Sequence, residues 1–473
     1  MSAAPTRQDG VVAAASEVIG GPLGRFATIG RRGWQPVAAL LMALASVFLA
    51  GGVLEKAHCL MRGWSGTDQF WHACYSDLPV VYTTSGLSKG VTPYLPGVGE
   101  HALAQPIVTG LTMWGLGDLV PGGSGVLRQQ QWYFALWAGL LVILLTLLVL
   151  VTAATVSDVP WRAAHVALSP LLVTVALVSA DLLGMLLASA GLWAWSKRRD
   201  VPAGILLGLA ILARSYPVLI ALAMVLVALR GGQRQRAALL AGATAGTVAV
   251  VSIPWLVADS GGFLTAYSSW WTSTAGYGSP WLIPQLLGHA LPTGVVTLLA
   301  LLGWGAAVLV GTRLAFSEGP SDVGAGARQR SGDVGGAARQ RSPGVVPVAA
   351  VMIAIVLVTG KSIPVQSSLW LLPLVALAGV KWRDHLIWAG MECVYFIAVW
   401  IYAPIGQDPN RAIPAHVYAI FLLARLLAIG WIAGAIWWTV PWSRDFGSEQ
   451  VDRYPRAGSP DSPVDNAEPV GSA

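Results

Sequence analysis

The sequence has few ionisable side chains: Asp, Glu, Lys and Arg make up only 11% of its 473 residues. A soluble domain carries roughly 25% charged residues, because ionised side chains must cover its water-facing surface. This shortage excludes a soluble enzyme. The formal net charge of +6 is spread along the chain. It therefore gives no basic face for a nucleic acid, and we expect no nucleic-acid partner.

Hydrophobic residues, by contrast, make up 55% of the chain, and one bilayer span uses about 20 of them. The hydropathy pattern predicts an all-α integral membrane protein with about twelve transmembrane helices and membrane lipids as its surroundings. The predicted spans are Pro36–Leu54, Trp132–Ala153, Ala163–Ala180, Leu182–Ser196, Val201–Ala213, Pro217–Leu229, Ala237–Val257, Ala290–Gly311, Val345–Gly360, Ser368–Val380, His385–Ala403 and Ala415–Val440. The short spans must end beside a polar cavity or within the bilayer thickness.

The basic residues predict the orientation. Under the twelve-span arrangement, 21 of the 29 Lys and Arg residues fall on one side and seven on the other, with Arg425 inside the last span. Cytoplasmic loops are enriched in Lys and Arg, so we expect both termini to be cytoplasmic in a multi-pass cell-membrane protein. The polar segment before the first span is too long for a typical secretory signal, although cleavage near Ala50 is an alternative.

Three polar segments frame the predicted membrane domain, residues 36–440. Residues 1–35 are predicted to be a cytoplasmic N-terminal segment, partly disordered. Residues 313–344 contain a tandem duplication and predict a disordered cytoplasmic loop, with a lipid-headgroup contact as the alternative for its arginines. Residues 441–473 predict a disordered cytoplasmic tail. The longest outside segment, the first extracytoplasmic loop at residues 55–131, is rich in aromatic residues, Gly and Pro and is expected to contain short helices and a function.

Asp77 in that loop is the candidate general base, since a carboxylate there could accept a proton at the membrane surface. Tyr75, Tyr82 and Tyr94 are nearby in sequence and could stack on a sugar. The alternative interpretation of Asp77 is a helix N-cap, because Leu78 and Pro79 follow it.

The same loop contains Cys59 and Cys74, while Cys393, the third cysteine, falls in a span. A disulfide between the first two would close a loop of about 15 residues and stabilise it by roughly 3 kcal/mol. Two free thiols are the alternative. We expect no metal site, because His58, His72 and His101 lack ligand spacing on a common helical face.

Other outside or intramembrane groups have two interpretations each. Arg214 and Lys361 could bind a phosphate or anchor to lipid headgroups, and Asp181 could act in a site or cap a helix. Glu392 and Arg425 are expected to form a structural ion pair, with a proton path as the alternative. The aromatic residues Trp270, Trp271, Tyr277 and Trp281 are predicted contacts for a sugar or an isoprenoid, or else interface anchors.

Several motifs resemble glycosyltransferase family 87 of the GT-C superfamily, over about residues 35–445. They are Cys74-Tyr-Ser-Asp77-Leu-Pro79 with Tyr82, Gly86-Leu87, Pro93-Tyr94, Glu100, Pro106-Ile-Val-Thr-Gly110, Leu168-Ser-Pro170, Asp181-Leu-Leu, Gly208-Leu-Ala-Ile-Leu-Ala-Arg214-Ser-Tyr216-Pro217, Gly278-Ser-Pro-Trp281, Lys361-Ser-Ile-Pro364-Val-Gln366-Ser-Ser-Leu-Trp370-Leu-Leu-Pro373 and Glu392 to Tyr395. Three positions depart from the family pattern: Gln105 stands for Tyr, Arg214 for Lys, and Pro364-Val-Gln366-Ser367 for a Ser-Pro-Gln-Tyr-like string. Arg for Lys keeps the charge but changes the hydrogen-bond geometry.

The resemblance implies an inverting mannosyltransferase with a polyprenyl-phosphate sugar as donor, a lipid-linked or cell-envelope glycan as acceptor, and no required cofactor. Asp77, Glu100 and Asp181 are then the predicted catalytic residues, and Arg214 and Lys361 the donor phosphate ligands. The predicted substrate or lipid contacts are Tyr75, Tyr82, Tyr94, Tyr216, Trp270, Tyr277, Trp281 and Gln366. An arabinofuranosyltransferase, a transporter or flippase, and a noncatalytic envelope scaffold are the alternatives.

Overall fold

The computed structural model describes residues 33–95, 103–123, 125–317 and 344–439, which are helical and contain no strand. Glu100 lies outside these ranges, as do nearly all of the three polar segments predicted to be disordered. The catalytic role of Glu100 and the disorder of these segments stay predictions.

The first helix of the described residues is long, α1 (Gln35–Glu55). The elements after it are short. Short helices follow: α2 (Ala57–Arg62), α3 (Asp68–Trp71), α4 (Asp77–Thr84), a 3-10 turn at Leu87–Lys89, and α5 (Ile107–Asp118). Glycines with positive φ end or separate several of them, among them Gly63, Gly86 and Gly90, because this backbone conformation carries no steric cost for glycine. Short helices therefore fill the described part of the segment between α1 and the second long helix, α6 (Val126–Thr155). That this segment is an extracytoplasmic loop stays a prediction.

A block of shorter helices follows α6. It comprises a 3-10 turn at Pro160–Ala163, α7 (Ala164–Ala167), α8 (Leu171–Thr174), α9 (Asp181–Ser196), α10 (Asp200–Ala213) and α11 (Pro217–Arg230), and it leads to the long helix α12 (Arg234–Ala258). The remaining elements are α13 (Ser260–Thr272), α14 (Leu282–Leu286), α15 (Thr293–Phe316), α16 (Val345–Thr359), a 3-10 helix (Val365–Leu371), α17 (Leu372–Ala378), α18 (Trp382–Tyr402), a 3-10 turn (Ala403–Gly406) and α19 (Ala415–Thr439).

Six helices of the described ranges are long and apolar enough to cross a membrane: α1, α6, α12, α15, α18 with the turn after it, and α19. Four shorter apolar helices accompany them: α10, α11, α16, and the 3-10 helix Val365–Leu371 continued by α17. The helical membrane class is thus confirmed, whereas the count of twelve spans stays a prediction.

One predicted span differs from the structure. Residues 163–180 form short turns and helices instead of one continuous helix, with breaks at Leu168 to Pro170 and after Val175. Pro170 lacks a backbone N–H and disfavours a helical conformation at the residue before it, so the helix stops there. This interruption positions the site, because the chain leaves α8 as an irregular segment that reaches Asp181 at the start of α9.

Small residues set the spacing of the central helices. A Cβ at Gly204 would lie 2.6 Å from the Leu240 carbonyl oxygen, and one at Gly208 would lie 2.9 Å from that of Thr244. The backbones of α10 and α12 can approach this closely only because both positions are glycine, as at other small-residue helix contacts in membranes. Helix α10 also packs on α9, which in turn packs on α6, so the shorter helices lie inside the bundle.

Candidate functional site

Asp77 is the first residue of α4, and Ser76 is the N-cap of that helix. The Ser76 hydroxyl accepts a hydrogen bond from the Leu78 N–H at 3.3 Å and donates one to the Leu177 carbonyl at 2.8 Å. The Asp77 N–H donates to the Val178 carbonyl at 2.8 Å. Since Ser76 caps the helix, the alternative of Asp77 as the cap is wrong, and the Asp77 carboxylate is available for other partners.

Asp181 starts α9 without capping it, because Ala180 occupies the N-cap position and makes no side-chain hydrogen bond. Its carboxylate is 2% exposed. It accepts hydrogen bonds from the Ser179 hydroxyl, from Trp370 Nε1 at 2.7 Å and from Arg214 Nε at 3.0 Å. The helix-cap interpretation of Asp181 is therefore wrong as well, and the carboxylate belongs to a buried polar cluster.

One short helix contacts both carboxylates. The 3-10 helix Val365–Leu371 carries Gln366, whose Nε2 donates to Asp77 Oδ2 at 3.2 Å, and Trp370, whose Nε1 donates to Asp181 Oδ1. Asp77 and Asp181 are also joined through the backbone, because the chain at Leu177 and Val178 holds the start of α4. Two of the three predicted catalytic carboxylates thus come together, although they are far apart in sequence.

Arg214 follows α10 and adds the positive charge of the cluster. Its Nη1 donates to Gln105 Oε1 at 3.0 Å while Nε contacts Asp181, and the side chain remains 15% exposed. No group in the described part of the chain accepts a hydrogen bond from its Nη2. A Cβ at Gly184 would lie 3.2 Å from Arg214 Cγ, so glycine at this position of α9 gives the arginine its room.

Aromatic side chains border the cluster on two sides. The Tyr75 hydroxyl donates to Asp77 Oδ1 at 2.9 Å, and its ring lies 4.8 Å from that of Trp400. Tyr216 stacks on Trp370 with ring centroids 4.6 Å apart. Its hydroxyl is buried and has no hydrogen-bond partner among the described residues. Two of the five tyrosines predicted as substrate contacts, Tyr75 and Tyr216, therefore lie at the carboxylate cluster.

Tyr82 and Tyr94 occupy supporting positions. Tyr82 is 3% exposed and stacks on Tyr133 at 4.2 Å, within the packed interior. The Tyr94 hydroxyl donates to the Gln105 carbonyl at 2.7 Å and would clash with any Cβ at Gly110. Tyr94 thus fixes the backbone of Gln105, the residue that contacts Arg214. Substrate contact by these two tyrosines stays a prediction.

Lys361 lies in a different arrangement from Arg214. Its ammonium donates to the carbonyls of Trp270 and Trp271 at 2.8 and 3.3 Å and to Thr297 Oγ1 at 2.7 Å. These carbonyls belong to the last turn of α13, where a cation interacts favourably with unpaired helix carbonyls. The side chain is 1% exposed. Its three donors are already matched, so the structure gives it a helix-capping contact, and its predicted role as a phosphate ligand stays untested.

The aromatic residues in the last turn of α13 and after it pack around the same segment. Trp270 lies under the Lys361 ammonium, 5.2 Å from ring centroid to Nζ. Trp281 Nε1 donates to the Thr359 carbonyl at 2.8 Å, and the Tyr277 hydroxyl donates to the Ala403 carbonyl at 3.4 Å. None of the contacts found in the described residues joins these three side chains to Asp77 or Asp181. Their predicted role in substrate binding remains a prediction.

Arg425 connects the last helices to the cluster. Its Nε donates to Glu392 Oε2 at 2.9 Å, while Nη1 and Nη2 donate to the carbonyls of Ile363 and Pro364 at 2.7 and 3.1 Å. The predicted ion pair is therefore present, and both side chains are fully buried. Because Gln366 comes directly after this anchored segment, Arg425 holds the backbone that presents Gln366 to Asp77.

The electrostatics of Asp77 suit a proton acceptor. Burial raises the pKa of the Asp77 carboxyl above its ordinary value, and the hydrogen bond from Tyr75 and the positive charge of Arg214 partly offset this. The negative charge of Asp181 raises the pKa further. A carboxylate with a raised pKa binds a proton more strongly than an ordinary aspartate, which favours general-base chemistry near neutral pH.

Sequence reasoning gave no role to three partners in the cluster, although Trp370 lay within a motif that carried the family resemblance. Trp370 and Ser179 both donate to Asp181, and Gln105, noted only as a departure from a family pattern, binds Arg214. Neither Trp370 nor Ser179 belongs to a residue type that signals chemistry on its own, and each lies in a segment whose helical break was not predicted. The Leu168-Ser-Pro170 string and the motif around Pro364 could have indicated these partners, because both mark helix interruptions beside the site.

Fold and cluster together define a polytopic helical membrane protein with paired carboxylates and an arginine beside the helix ends. The family model of glycosyltransferase family 87 matches residues 125–328, and this match confirms the resemblance drawn from the motifs. The family implies a glycosyltransferase, and the helical membrane fold is consistent with a GT-C-like architecture. The matched range includes Asp181, Arg214 and Tyr216, whereas Asp77 and Gln366 lie outside it. No curated protein matched the chain.

Proposed function

We propose that the protein transfers a sugar, in the first instance mannose, from a polyprenyl-phosphate donor to a lipid-linked or cell-envelope glycan acceptor on the extracytoplasmic side of the membrane. The observation that carries this proposal is the joint contact of one 3-10 helix with Asp77 and Asp181, with Arg214 on the second carboxylate. A proton acceptor and a cation thereby lie in one cluster at the ends of short helices.

The reaction is a single displacement with inversion at the anomeric carbon. The acceptor hydroxyl attacks that carbon while Asp77 accepts its proton, and the bond between the anomeric carbon and the phosphate oxygen breaks. Polyprenyl phosphate leaves with the electron pair of that bond. General-base assistance of this kind contributes typically about 10²- to 10⁴-fold to the rate.

Arg214 binds the departing phosphate in this proposal. Its Nη2 is the donor that no described residue engages, and charge-assisted hydrogen bonds from a guanidinium suit phosphate oxygens. Asp181 acts as a positioning residue, because it holds Nε while Gln105 holds Nη1. The guanidinium is therefore oriented before the substrate arrives, which lowers the cost of ordering it in the transition state.

The decisive variant is Asp77→Asn, assayed for transfer from radiolabelled polyprenyl-phosphate mannose to membrane lipid acceptors. Asn has nearly the same shape and can accept from Tyr75, and the Gln366 amide can rotate to restore its own hydrogen bond. We expect folded protein, judged by an unchanged unfolding temperature, with transfer reduced by about 10²-fold or more.

Asp118→Asn is the matched control, since Asp118 is an exposed aspartate at the end of α5 and should transfer normally. Normal turnover by Asp77→Asn would refute the assignment of the base. Transfer from an arabinofuranosyl donor in place of the mannosyl donor would keep the mechanism and change the sugar. Transfer from neither donor by the unmodified protein would refute the proposed reaction.

A further inference from the structure

Two histidines and an aspartate meet in the segment between α1 and α4. His58 lies on α2, Asp68 begins α3, and His72 follows α3. His58 Nε2 is 2.6 Å from Asp68 Oδ2, and His72 Nδ1 is 3.3 Å from Asp68 Oδ1. The two imidazole rings are stacked with centroids 3.5 Å apart. All three side chains thus form one compact group on the surface of the protein.

The disulfide brings these side chains together. Cys59, next to His58, is bonded to Cys74, which comes shortly after His72, with the two Cα atoms 5.7 Å apart. The turn between them is fixed by backbone hydrogen bonds from His72 N–H to the Asp68 carbonyl and from Cys74 N–H to the Gln69 carbonyl. The histidines are not on a common helical face, which is why sequence spacing predicted no metal site; the cross-link supplies the proximity instead.

We propose that His58, Asp68 and His72 bind a divalent transition-metal ion, Zn²⁺ in the first instance. One ligand atom from each side chain lies within 4.8 Å of the others. Two imidazole nitrogens and one carboxylate oxygen are ligands that Zn²⁺ accepts, at about 2.0–2.2 Å, and three protein ligands leave a fourth tetrahedral position for water.

The two imidazole rings must turn before the three side chains can bind one ion. A metal lies in the plane of each imidazole that binds it, so the two stacked rings cannot both keep their parallel orientation. The side chains of His58, His72 and Asp68 are 28%, 45% and 58% exposed, which leaves the rings free to turn.

The ion would add a second link beside the disulfide between α2 and the turn after α3. The chain continues from Cys74 to Tyr75 and Asp77, so the ion would stabilise the segment that leads into α4. No described residue of the metal group contacts Asp77, Asp181 or Arg214. The site is therefore separate from the carboxylate cluster, and its test does not depend on the proposed glycosyl transfer.

The test uses the full-length protein purified in detergent through a tag without histidines. Calorimetric titration with Zn²⁺ should give one site per chain, and Zn²⁺ should raise the unfolding temperature because it binds the folded state. In the His58→Ala/His72→Ala double variant, we expect the affinity to fall by more than about tenfold and the Zn²⁺-dependent rise in unfolding temperature to disappear. Co²⁺ should give visible absorption bands in the unmodified protein and none in the double variant.

His289→Ala removes an exposed histidine outside the group and should bind Zn²⁺ as the unmodified protein does. Asp68→Asn is the second variant, because it removes the anionic ligand and leaves both imidazoles in place; it too should bind more weakly. Mass spectrometry checks that each variant keeps the Cys59–Cys74 bond. Absence of stoichiometric binding by the unmodified protein, or equal affinity in the double variant, would overturn the proposal.

Discussion

Arg214 and Arg425 each pair with a buried carboxylate, yet their surroundings differ. Arg425 is fully buried, and its Nε, Nη1 and Nη2 all donate to protein acceptors. Arg214 is 15% exposed and uses Nε and Nη1, while no described residue accepts from Nη2. The difference separates two uses of the same side chain in a membrane protein. A guanidinium whose three nitrogens all donate to protein acceptors stabilises the fold. One with a nitrogen that has no protein acceptor can bind a ligand.

Arg425→Met tests the structural role of the fully buried arginine. The substitution leaves Glu392 buried without its partner, which costs about 3–5 kcal/mol of stability for a broken buried pair. We expect a large fall in the unfolding temperature of the purified protein, and partial recovery in the Glu392→Gln/Arg425→Met double variant. Arg383→Met should change stability little, since the Arg383 side chain is 70% exposed in its pair with Asp384. An unchanged unfolding temperature in Arg425→Met would contradict the structural role.

Arg214→Lys tests the phosphate-binding role proposed for Arg214. Lysine keeps the charge but cannot hold Asp181 and Gln105 while presenting a further donor. A lost hydrogen bond to a charged group costs about 1.5–3 kcal/mol, so glycosyl transfer should fall roughly 10- to 100-fold. Arg236→Lys is the control, because Arg236 also pairs with an aspartate, Asp200, and its side chain is 19% exposed. Equal transfer rates for the two variants would argue against phosphate binding by Arg214.

Tyr75→Phe should have the smallest effect on glycosyl transfer. It tests the assignment of Asp77 as the general base. Transfer requires ionised Asp77, so activity falls as pH drops through its pKa, which burial raises above the ordinary value. The Tyr75 hydrogen bond lowers that pKa; removing it therefore moves the acidic limb of the pH–rate profile to higher pH. Tyr267→Phe, an exposed tyrosine on α13, should leave the limb in place. A shift to lower pH in Tyr75→Phe would contradict the assignment.

Hydropathy predicted most of the helices closely. The spans expected at Leu182–Ser196, Val201–Ala213 and Pro217–Leu229 correspond to α9, α10 and α11 within one residue at each end. The interrupted regions could not be predicted in the same way. Residues 163–180 are as apolar as a continuous helix, and their break depends on Pro170 and on the hydrogen bonds that the freed backbone makes with other segments. The 3-10 helix at Val365–Leu371 crosses the start of the predicted span Ser368–Val380, and Pro364 precedes it.

The sequence located part of the candidate site for a clear physical reason. Asp77, Asp181 and Arg214 are charged residues at helix ends in a chain with little charge, and such groups must find partners. Lys361 met the same criterion, but its partners are the carbonyls of α13. Charge alone did not distinguish these cases, because the distinction depends on which neutral acceptors lie nearby in three dimensions. The proximity of His58, Asp68 and His72 could not be predicted from their spacing either, because it depends on the Cys59–Cys74 disulfide.

The short 3-10 helix at Val365–Leu371 has a consequence for synthesis of the chain. A ribosome completes Asp77, Asp181 and Arg214 long before it reaches Gln366 and Trp370, and later still it completes Arg425, which anchors that short helix. A polypeptide stopped between Arg214 and Gln366 would contain the carboxylates and the arginine without the element that joins them. Assembly of the cluster therefore waits until synthesis has passed Arg425.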